Sequence, residues 1–128
     1  MSSCVFCSLI GSSSVLYESP HSFVLLDRFP LSSGHLLVIP KVHHPSLHEY
    51  EDHEVSDILS VCIKMVKKYK FKKYNILQNT GNYQSVFHVH FHVVPCHETE
   101  RLKIEWSSKK MTDAEYSEYH QQYQQCQQ

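Results

Sequence analysis

The sequence predicts an α+β domain in which one long helix packs on an antiparallel sheet of about five strands. Three observations lead to this class. Strand-like stretches lie before residue 40 and again after residue 74, and one long stretch with helical spacing lies between them. The last strand-like stretch also carries a row of alternate histidines. Strands, one helix and further strands, in that order, favour a single α+β domain.

The first part of the chain is predicted to form three short strands separated by turns. We place them at residues 15–18, 23–26 and 35–39, with Asp27 at the end of the second and Pro40 stopping the third. Proline cannot donate to a sheet ladder, so it marks a strand end. Hydrophobic residues make up 41% of the chain, which is enough for one core.

The long helix is predicted to begin at Asp52, which is a plausible N-cap residue. Apolar residues then recur at intervals of three and four, which is the spacing of one helix face. These residues are Val55, Ile58, Leu59, Cys62, Met65, Val66 and Tyr69. Lysines follow at the end of the stretch, where they suit the negative end of the helix dipole. We assign Cys62 to the core.

The remaining segments complete one domain over residues 1–128. "YNILQNTG" predicts a strand directly before the histidine row. Thr112 and Glu115 form a capping-box pattern, which predicts a helical tail over residues 112–128. Residues 1–10 form an N-terminal segment that contains a CxxC pair.

The histidine row lies in "VFHVHFHVVP", residues 86–95, at His88, His90 and His92. Strict alternation with Val and Phe predicts a strand that ends at Pro95. Successive side chains of a strand point to opposite faces, so the three imidazoles share one face, roughly 7 Å apart, and the apolar residues face the core.

Such a row serves either a metal site or catalysis. Three consecutive histidines on a flat strand converge poorly on one tetrahedral ion. The upstream stretch "QNTGNYQS" instead places hydrogen-bonding groups beside the imidazoles, at Asn79, Gly81, Gln84 and Ser85. Such groups can hold a phosphate while a histidine attacks it, so we favour catalysis.

Composition excludes several classes of protein. The net charge of −1 predicts no global field for nucleic acid or anionic membranes. No apolar run reaches the roughly 18 residues of a transmembrane helix, and the N-terminus lacks the pattern of a signal peptide. We therefore expect a cytoplasmic protein, with the nucleus as a second location. The five cysteines are then thiols or ligands rather than disulfides.

Three segments resemble the histidine triad (HIT) superfamily of nucleotide hydrolases and transferases. "QSVFHVHFHVV" is similar to its signature, in which three histidines alternate with apolar residues. "FVLLDRFPLSSGHLLVIPKVHH" and "NILQNTG" resemble the upstream segments in the same order, so the match covers residues 4–95. The short chain looks most like the Hint branch of adenosine phosphoramidases. The Fhit branch of dinucleoside polyphosphate hydrolases is second.

The resemblance implies a purine nucleotide substrate and a covalent mechanism. It assigns His90 as the nucleophile that attacks the α-phosphorus, so that a nucleotidyl-histidine forms and water releases the nucleoside monophosphate. Imidazole suits this role because its neutral form is abundant near pH 7. The resemblance also implies that His92 contacts the phosphate, that Ser85 lies near the leaving group and that His43 lies close to the triad.

The resemblance further assigns the residues that hold the nucleotide. Asp27 matches the acid that binds the ribose hydroxyls, and Asn79 matches the amide beside ribose and phosphate. Gln84 belongs to the same substrate-facing segment. This chain departs from the family at Tyr83, where a glycine is usual, and at Cys96, where an arginine is usual. The altered loop leaves the leaving-group preference and the rate open.

The CxxC pair is a second candidate site. Hint-like microbial proteins with this pair resemble a Cys2His2 zinc site, which here implies Cys4, Cys7, His43 and His88. A closed tetrahedral site of this kind is structural. The alternative is two reduced cysteines in an apolar helical turn.

The family's small members also imply a homodimer that pairs through the long helix and a neighbouring strand. Two other functions stay open beside the phosphoramidase. One is a Fhit-like dinucleoside polyphosphate hydrolase, and the other is a nucleotide- or zinc-binding interaction protein without turnover. An aprataxin-like DNA deadenylase is disfavoured because the chain has no basic surplus and no appended zinc finger.

Overall fold

The structure is a computed structural model that describes residues 3–126. Five strands form one antiparallel sheet in the order β1-β2-β3-β5-β4. Their bounds are Tyr17–Glu18 (β1), Ser22–Leu26 (β2), Leu36–Pro40 (β3), Tyr74–Gln78 (β4) and Phe91–Pro95 (β5). The helices are Val5–Leu9 (α1), Asp52–Lys68 (α2) and Asp113–Gln125 (α3), with a 3-10 turn at Leu47–Glu49. The predicted α+β class and five-stranded antiparallel sheet are therefore confirmed.

Both faces of the sheet are covered. Helix α2 contacts β2, β3 and β5 on one face. Its buried side chains, among them Ile58 and Met65, pack with Val24, Val38 and Val93. On the other face, Phe6 of α1 packs in a second apolar cluster with Phe23, Leu25, Leu37 and Ile39. Successive side chains of a strand point to opposite faces of the sheet, so alternate strand residues pack into two separate apolar layers.

The predicted strand over the histidine row is wrong in its extent, because β5 begins only at Phe91. Its antiparallel partner β3 is paired as far as Val38, opposite Phe91, and ends at Pro40, which has no N–H to donate. Instead, the side chain of His88 donates a hydrogen bond from Nε2 to the carbonyl oxygen of Pro40. The histidine row therefore follows a bend before it enters the sheet.

The predicted division between core and site is nonetheless confirmed. Val89, Phe91 and Val93 lie in the core beneath α2. The rings of His90 and His92 lie on the opposite face, with centroids 5.0 Å apart rather than the roughly 7 Å expected for a flat strand. The bend thus brings the imidazoles closer than a regular strand would.

Helix α2 ends in lysines as predicted, but it differs from its prediction at the N-cap and at two positions of the core face. Glu51 is the N-cap, and the carboxylate of Glu54 accepts a hydrogen bond from its N–H, so Asp52 is the first helical residue. Leu59 and Tyr69, which were predicted on the core face, are 44% and 42% exposed. Leu59 faces outward because its neighbour Ile58 already fills the inward position. The prediction that Cys62 lies in the core is confirmed.

The tail helix forms as predicted, with the hydroxyl of Thr112 accepting a hydrogen bond from the N–H of Glu115. Residues 1, 2, 127 and 128, which belong to the predicted N-terminal segment and tail, lie outside the described residues. Every residue of α3 is exposed. Within residues 3–126, no helix is long and apolar enough to span a membrane.

Candidate active site

The histidine row meets helix α1 where β5 begins. His88 and His90 are only 0% and 5% exposed, although both carry polar rings. The ring of Phe6, from α1, stands edge-on to both of them, with its centroid 5.8 Å from His88 and 5.0 Å from His90. Buried polar atoms need hydrogen-bond partners, and those partners decide which ring nitrogen carries the proton.

His90 is held in one tautomer by its own backbone. Its Nδ1 lies 2.8 Å from the carbonyl oxygen of His88, which can only accept, so Nδ1 carries the proton. The lone pair of Nε2 is then available. Burial lowers the pKa of His90, against the raising effect of the carbonyl and of Asp27. His90 is therefore a neutral imidazole near pH 7, with one nucleophilic nitrogen.

His92 is set in the opposite tautomer by a chain of two hydrogen bonds. The backbone N–H of Leu31 donates to Nδ1 of His35 at 3.0 Å, so the proton of neutral His35 lies on Nε2. That Nε2 is 2.9 Å from Nδ1 of His92, which must accept. His92 therefore carries its proton on Nε2. The row thus offers a lone pair at His90 and a hydrogen-bond donor at His92.

Asp27 lies beside this chain of bonds. One carboxylate oxygen accepts from the N–H of Phe29 at 2.8 Å, and the other is 3.4 Å from Nε2 of His35. Asp27, His35 and His92 are close enough to suggest a metal site. The tautomer argues against one, because Nε2 of His35 carries a proton and cannot ligate. We interpret the three groups as a hydrogen-bonded relay.

His35 is the functional residue that sequence reasoning missed, since it was predicted only as the start of the third strand. It is 1% exposed, so its ring is wholly committed to the contacts just described. A signal was present in the hairpin register. Leu26 pairs with Leu36, so a β2–β3 hairpin places the next residue pair, Asp27 and His35, side by side.

The candidate metal ligands converge as the resemblance implied. Nδ1 of His88 is 3.4 Å from Sγ of Cys4, 3.5 Å from Sγ of Cys7 and 2.9 Å from Nδ1 of His43. Nε2 of His88 is 2.7 Å from the carbonyl of Pro40 and donates to it, which leaves Nδ1 unprotonated and facing the thiols.

This donor set fits a tetrahedral metal ion. Zinc bonds of about 2.0–2.1 Å to nitrogen and about 2.3 Å to sulfur separate ligand atoms in a tetrahedron by roughly 3.3–3.8 Å, with nitrogen–sulfur pairs near the middle of this range. The sulfur–nitrogen distances from Cys4 and Cys7 to His88 already lie in this range. Nδ1 of His43 and Nδ1 of His88 lie 2.9 Å apart, so these two atoms would part by a few tenths of an ångström. The four residues can therefore hold a metal ion, and the structure brings His43 to this cluster rather than to His90 or His92.

The loop before the triad contains the remaining predicted residues. The amide of Gln84 is buried and bonds only to backbone: its oxygen accepts from Gly81, and its nitrogen donates to Pro45 and Val86. Gln84 thus clamps the loop. Ser85 is exposed and Asn79 is half-buried, and neither side chain has a hydrogen-bond partner within residues 3–126. Both polar groups are open to a ligand.

We predict that acid destabilises the fold through the relay. Burial, and then His90 and His35, lower the pKa of His92 to about 4, while Asp27 acts weakly in the opposite direction. Burial also lowers the pKa of His35. The unfolded chain has ordinary histidine pKa values near 6.5, so unfolding takes up protons as the pH falls below 6.5. The contribution of His92 and His35 to the free energy of unfolding is therefore full above pH 6.5 and is lost as the pH falls toward 4.

The expected loss from His92 alone is about 2–3 kcal/mol between pH 7 and pH 4.5. Urea unfolding of the parent and of His92→Gln at both pH values measures it. Both proteins keep the cysteine–histidine cluster, so the difference between their pH dependences isolates His92. Identical pH dependences would contradict the assignment.

Fold and site together define a histidine-triad protein: an antiparallel sheet with a long helix on one face and buried, tautomer-fixed histidines on the other. The chain belongs to the HIT domain family, whose model matches residues 11–99.

Named relatives agree with this assignment. The adenosine 5'-monophosphoramidase HNT1 of Saccharomyces cerevisiae is 37% identical over 84% of this chain and 72% of its own length. The adenosine 5'-monophosphoramidase hnt1 of Schizosaccharomyces pombe is 39% identical over 88% of this chain and 90% of its own. Among solved structures, the histidine triad nucleotide-binding protein from Candida albicans superposes with a TM-score of 0.87. It is 33% identical, over 95% of either chain.

Proposed function

We propose that this protein is a purine nucleoside phosphoramidase that cleaves the P–N bond of an adenosine 5'-phosphoramidate and releases AMP. One observation carries the proposal: two neighbouring histidines of the row, the buried His90 and the half-buried His92, have opposite tautomers. His90 presents a lone pair and His92 presents an N–H on the same face of the sheet. Nucleophilic attack at phosphorus needs both, because negative charge grows on the phosphoryl oxygens as the nucleophile approaches.

The reaction proceeds in two displacements. Nε2 of His90 attacks the α-phosphorus, the P–N bond breaks, and the amine leaves with a proton supplied from solvent through the exposed Ser85 hydroxyl. The nucleotidyl-imidazolium is stabilised by the Nδ1–H bond to the carbonyl of His88. His92 donates its Nε2–H to a phosphoryl oxygen throughout. Water then attacks phosphorus, the bond from phosphorus to Nε2 of His90 breaks, and the proton of the water goes to solvent. AMP leaves, and His90 is again neutral.

The names of the relatives support this substrate class. Two fungal relatives are adenosine 5'-monophosphoramidases. The adenylylsulfatase HINT3 of Arabidopsis thaliana is 36% identical over 84% of this chain and 58% of its own length. A panel of adenosine phosphoramidate, adenylylsulfate and a dinucleoside polyphosphate measures the preference as kcat/KM. We expect the highest kcat/KM for the phosphoramidate. A higher kcat/KM for the dinucleoside polyphosphate would support the Fhit-like alternative. No turnover of any of the three substrates would support a binding protein without activity.

Replacing Asp27 by alanine should impair binding more than chemistry. We propose that its carboxylate accepts hydrogen bonds from the ribose hydroxyls, with the amide of Asn79 beside ribose and phosphate. Loss of a charged hydrogen-bond partner raises KM by a factor corresponding to about 1–3 kcal/mol. A 2',3'-dideoxy substrate, which has no hydroxyl to bind, should be affected much less. Equal losses on both substrates would leave Asp27 as a support of His35 only.

We propose that Cys4, Cys7, His43 and His88 hold a structural zinc ion. The four residues would tie the N-terminal helix to the sheet, because Cys4 is the N-cap of α1, Cys7 lies within α1, and the two histidines lie beside the sheet. A closed tetrahedral site of four protein ligands has no open position for substrate. The ion therefore supplies a cross-link, and the chemistry stays with His90.

We also propose that the protein is a homodimer. Strand β4 lies at an edge of the sheet, and exposed strand edges invite pairing. The outer face of α2 carries Leu59 and Ile63, which are 44% and 41% exposed and one helical turn apart. Pairing of two copies through α2 and β4 would bury both features.

Sedimentation at micromolar concentration should show twice the chain mass of 15.0 kDa. The variant Leu59→Glu should sediment as the monomer, because it places a charge in the interface. A parent that sediments only as a monomer would count against the dimer.

A further inference from the structure

A basic cleft lies at the opposite end of β4 and β5 from the histidines. It has a volume of about 510 Å³ and is lined by residues 69–73, residues 95–98 and Arg101. The antiparallel register places Tyr74 opposite Pro95 at this end and Gln78 opposite Phe91 at the end next to His90. Four strand residues of about 3.3 Å each separate the two ends, so the cleft is well clear of the reacting atoms.

The cleft carries more cations than the fold requires. Lys70, Lys72, Lys73 and Arg101 line it, against the single carboxylate of Glu98. None of these four cations forms an ion pair within the described residues. The helix dipole accounts for lysines in the last turn of α2, but its effect fades beyond that turn, and these three lysines lie past Lys68.

The backbone at Lys70 is held in an unfavourable conformation. Its φ is +58°, the left-handed region in which glycine is the usual residue after a helix end. The N–H of Phe71 bonds to the carbonyl of Val66 and the N–H of Lys70 to that of Lys67, which closes the helix end around it. A lysine at this position costs stability that a glycine would not, and it directs one more cation to the cleft.

Aromatic residues alternate with the lysines in "KKYKFKKY", residues 67–74. Tyr69 and Phe71 stack with ring centroids 6.2 Å apart and an interplanar angle of 30°. Tyr69 is 42% exposed, and Nζ of Lys68 lies 5.5 Å from its ring centroid. Exposed ring faces beside uncompensated cations are the combination that single-stranded nucleic acids recognise, with phosphates on the cations and bases on the rings.

We propose that the basic cleft binds single-stranded nucleic acid. The net charge of −1 excludes a global field that attracts nucleic acid, but it does not exclude a local one. Acidic and basic residues are in fact separated along α2 and the segment after it. Acidic residues occupy its first turn, and the lysines follow its end. A concave cleft with stacked rings fits a single nucleic-acid strand better than it fits the flat surface of a membrane. Binding here is independent of the proposed hydrolysis.

Fluorescence anisotropy with a labelled single-stranded RNA of about twelve nucleotides tests the proposal. We expect micromolar affinity at low salt, with a linear dependence of log K on log salt concentration. Lys72→Gln/Lys73→Gln should weaken binding at least tenfold and reduce the salt slope by about 1.4, which corresponds to two lost phosphate contacts. The matched control, Lys109→Gln/Lys110→Gln, removes the same charge from the exposed segment before α3 and should change affinity less than twofold.

Three further variants separate the contributions of the cleft. Glu98→Gln should tighten binding by removing the one carboxylate. Tyr69→Ala should weaken binding of RNA but not of inorganic polyphosphate, because only RNA has bases to stack. Lys70→Gly should raise the melting temperature by a few degrees while weakening RNA binding, since glycine adopts φ +58° without strain.

Two outcomes would overturn the proposal. Equal weakening by the two double-lysine variants would mean that RNA binds by overall charge and not in the cleft. Binding to vesicles of anionic phospholipid that Lys72→Gln/Lys73→Gln abolishes, with no RNA binding, would assign the cleft to membranes instead. Phosphoramidate turnover should be unchanged in every cleft variant.

Discussion

Replacing His90 by asparagine should lower kcat/KM for an adenosine phosphoramidate by about 10⁴-fold or more. The nucleophilic Nε2 is lost, and the other oriented lone pair of the row, at Nδ1 of His88, faces the thiols of Cys4 and Cys7 instead of the position of the substrate. Asparagine is the variant of choice because its side-chain N–H can still donate to the carbonyl of His88. Steady-state release of AMP measures the effect, and thermal unfolding checks that the fold is kept.

His92→Asn is the matched control in the same row. It removes a donor to the phosphoryl oxygen and not the nucleophile, so we expect a loss of about 10²–10³-fold. The covalent intermediate should still form in this variant, only more slowly. If His90→Asn retained more activity than His92→Asn, the roles of the two histidines would be reversed.

The second large effect should come from Cys4→Ser. The parent should purify with about one zinc ion per chain, and the variant should lose most of the metal, because a serine hydroxyl is a poor zinc ligand. Metal binding to a preformed site contributes directly to folding free energy, so the melting temperature should fall by roughly 10 °C or more. Elemental analysis and thermal unfolding measure the two quantities on one preparation.

Cys96→Ser provides the control for the loss of a thiol. Cys96 is partly buried and makes only a 3.9 Å contact with the carbonyl of His97, so its replacement should leave metal content and melting temperature unchanged. Removing the metal from the parent by chelation should slow turnover only as far as it loosens the fold. Complete loss of activity on chelation with the fold intact would mean that the metal takes part in the reaction.

The elements of this fold could be predicted from local sequence because their periodicity is strong. The alternation around Val89, Phe91 and Val93 reveals the core face of β5, and the spacing of Ile58, Cys62 and Met65 reveals the core face of α2. The bounds were less accurate, because they depend on partners distant in sequence. No local pattern around His90 shows that β3 stops pairing at Val38.

The same limit applies to the site. His88 could be assigned to the metal cluster through a family resemblance, but its orienting bond to Pro40 spans 48 residues. His35 was missed because its role exists only through Leu31 and His92, which fix its proton. Gln84 was predicted to bind substrate, but its amide bonds to the backbone of Gly81 and Val86 in its own loop and to the distant carbonyl of Pro45. Residue types indicate possible chemistry, whereas hydrogen-bond partners determine which atom performs it.

One measurement tests the assignment of His90 most directly. The parent is mixed with an adenosine phosphoramidate for less than one turnover, denatured without acid to preserve the P–N bond, and examined by intact-mass and peptide mass spectrometry. The expected result is one adenylyl group per chain, located on His90, absent from His90→Asn and released when turnover is allowed to finish. An adenylyl group on His92, or sustained turnover by His90→Asn, would contradict the assignment of His90 as the nucleophile.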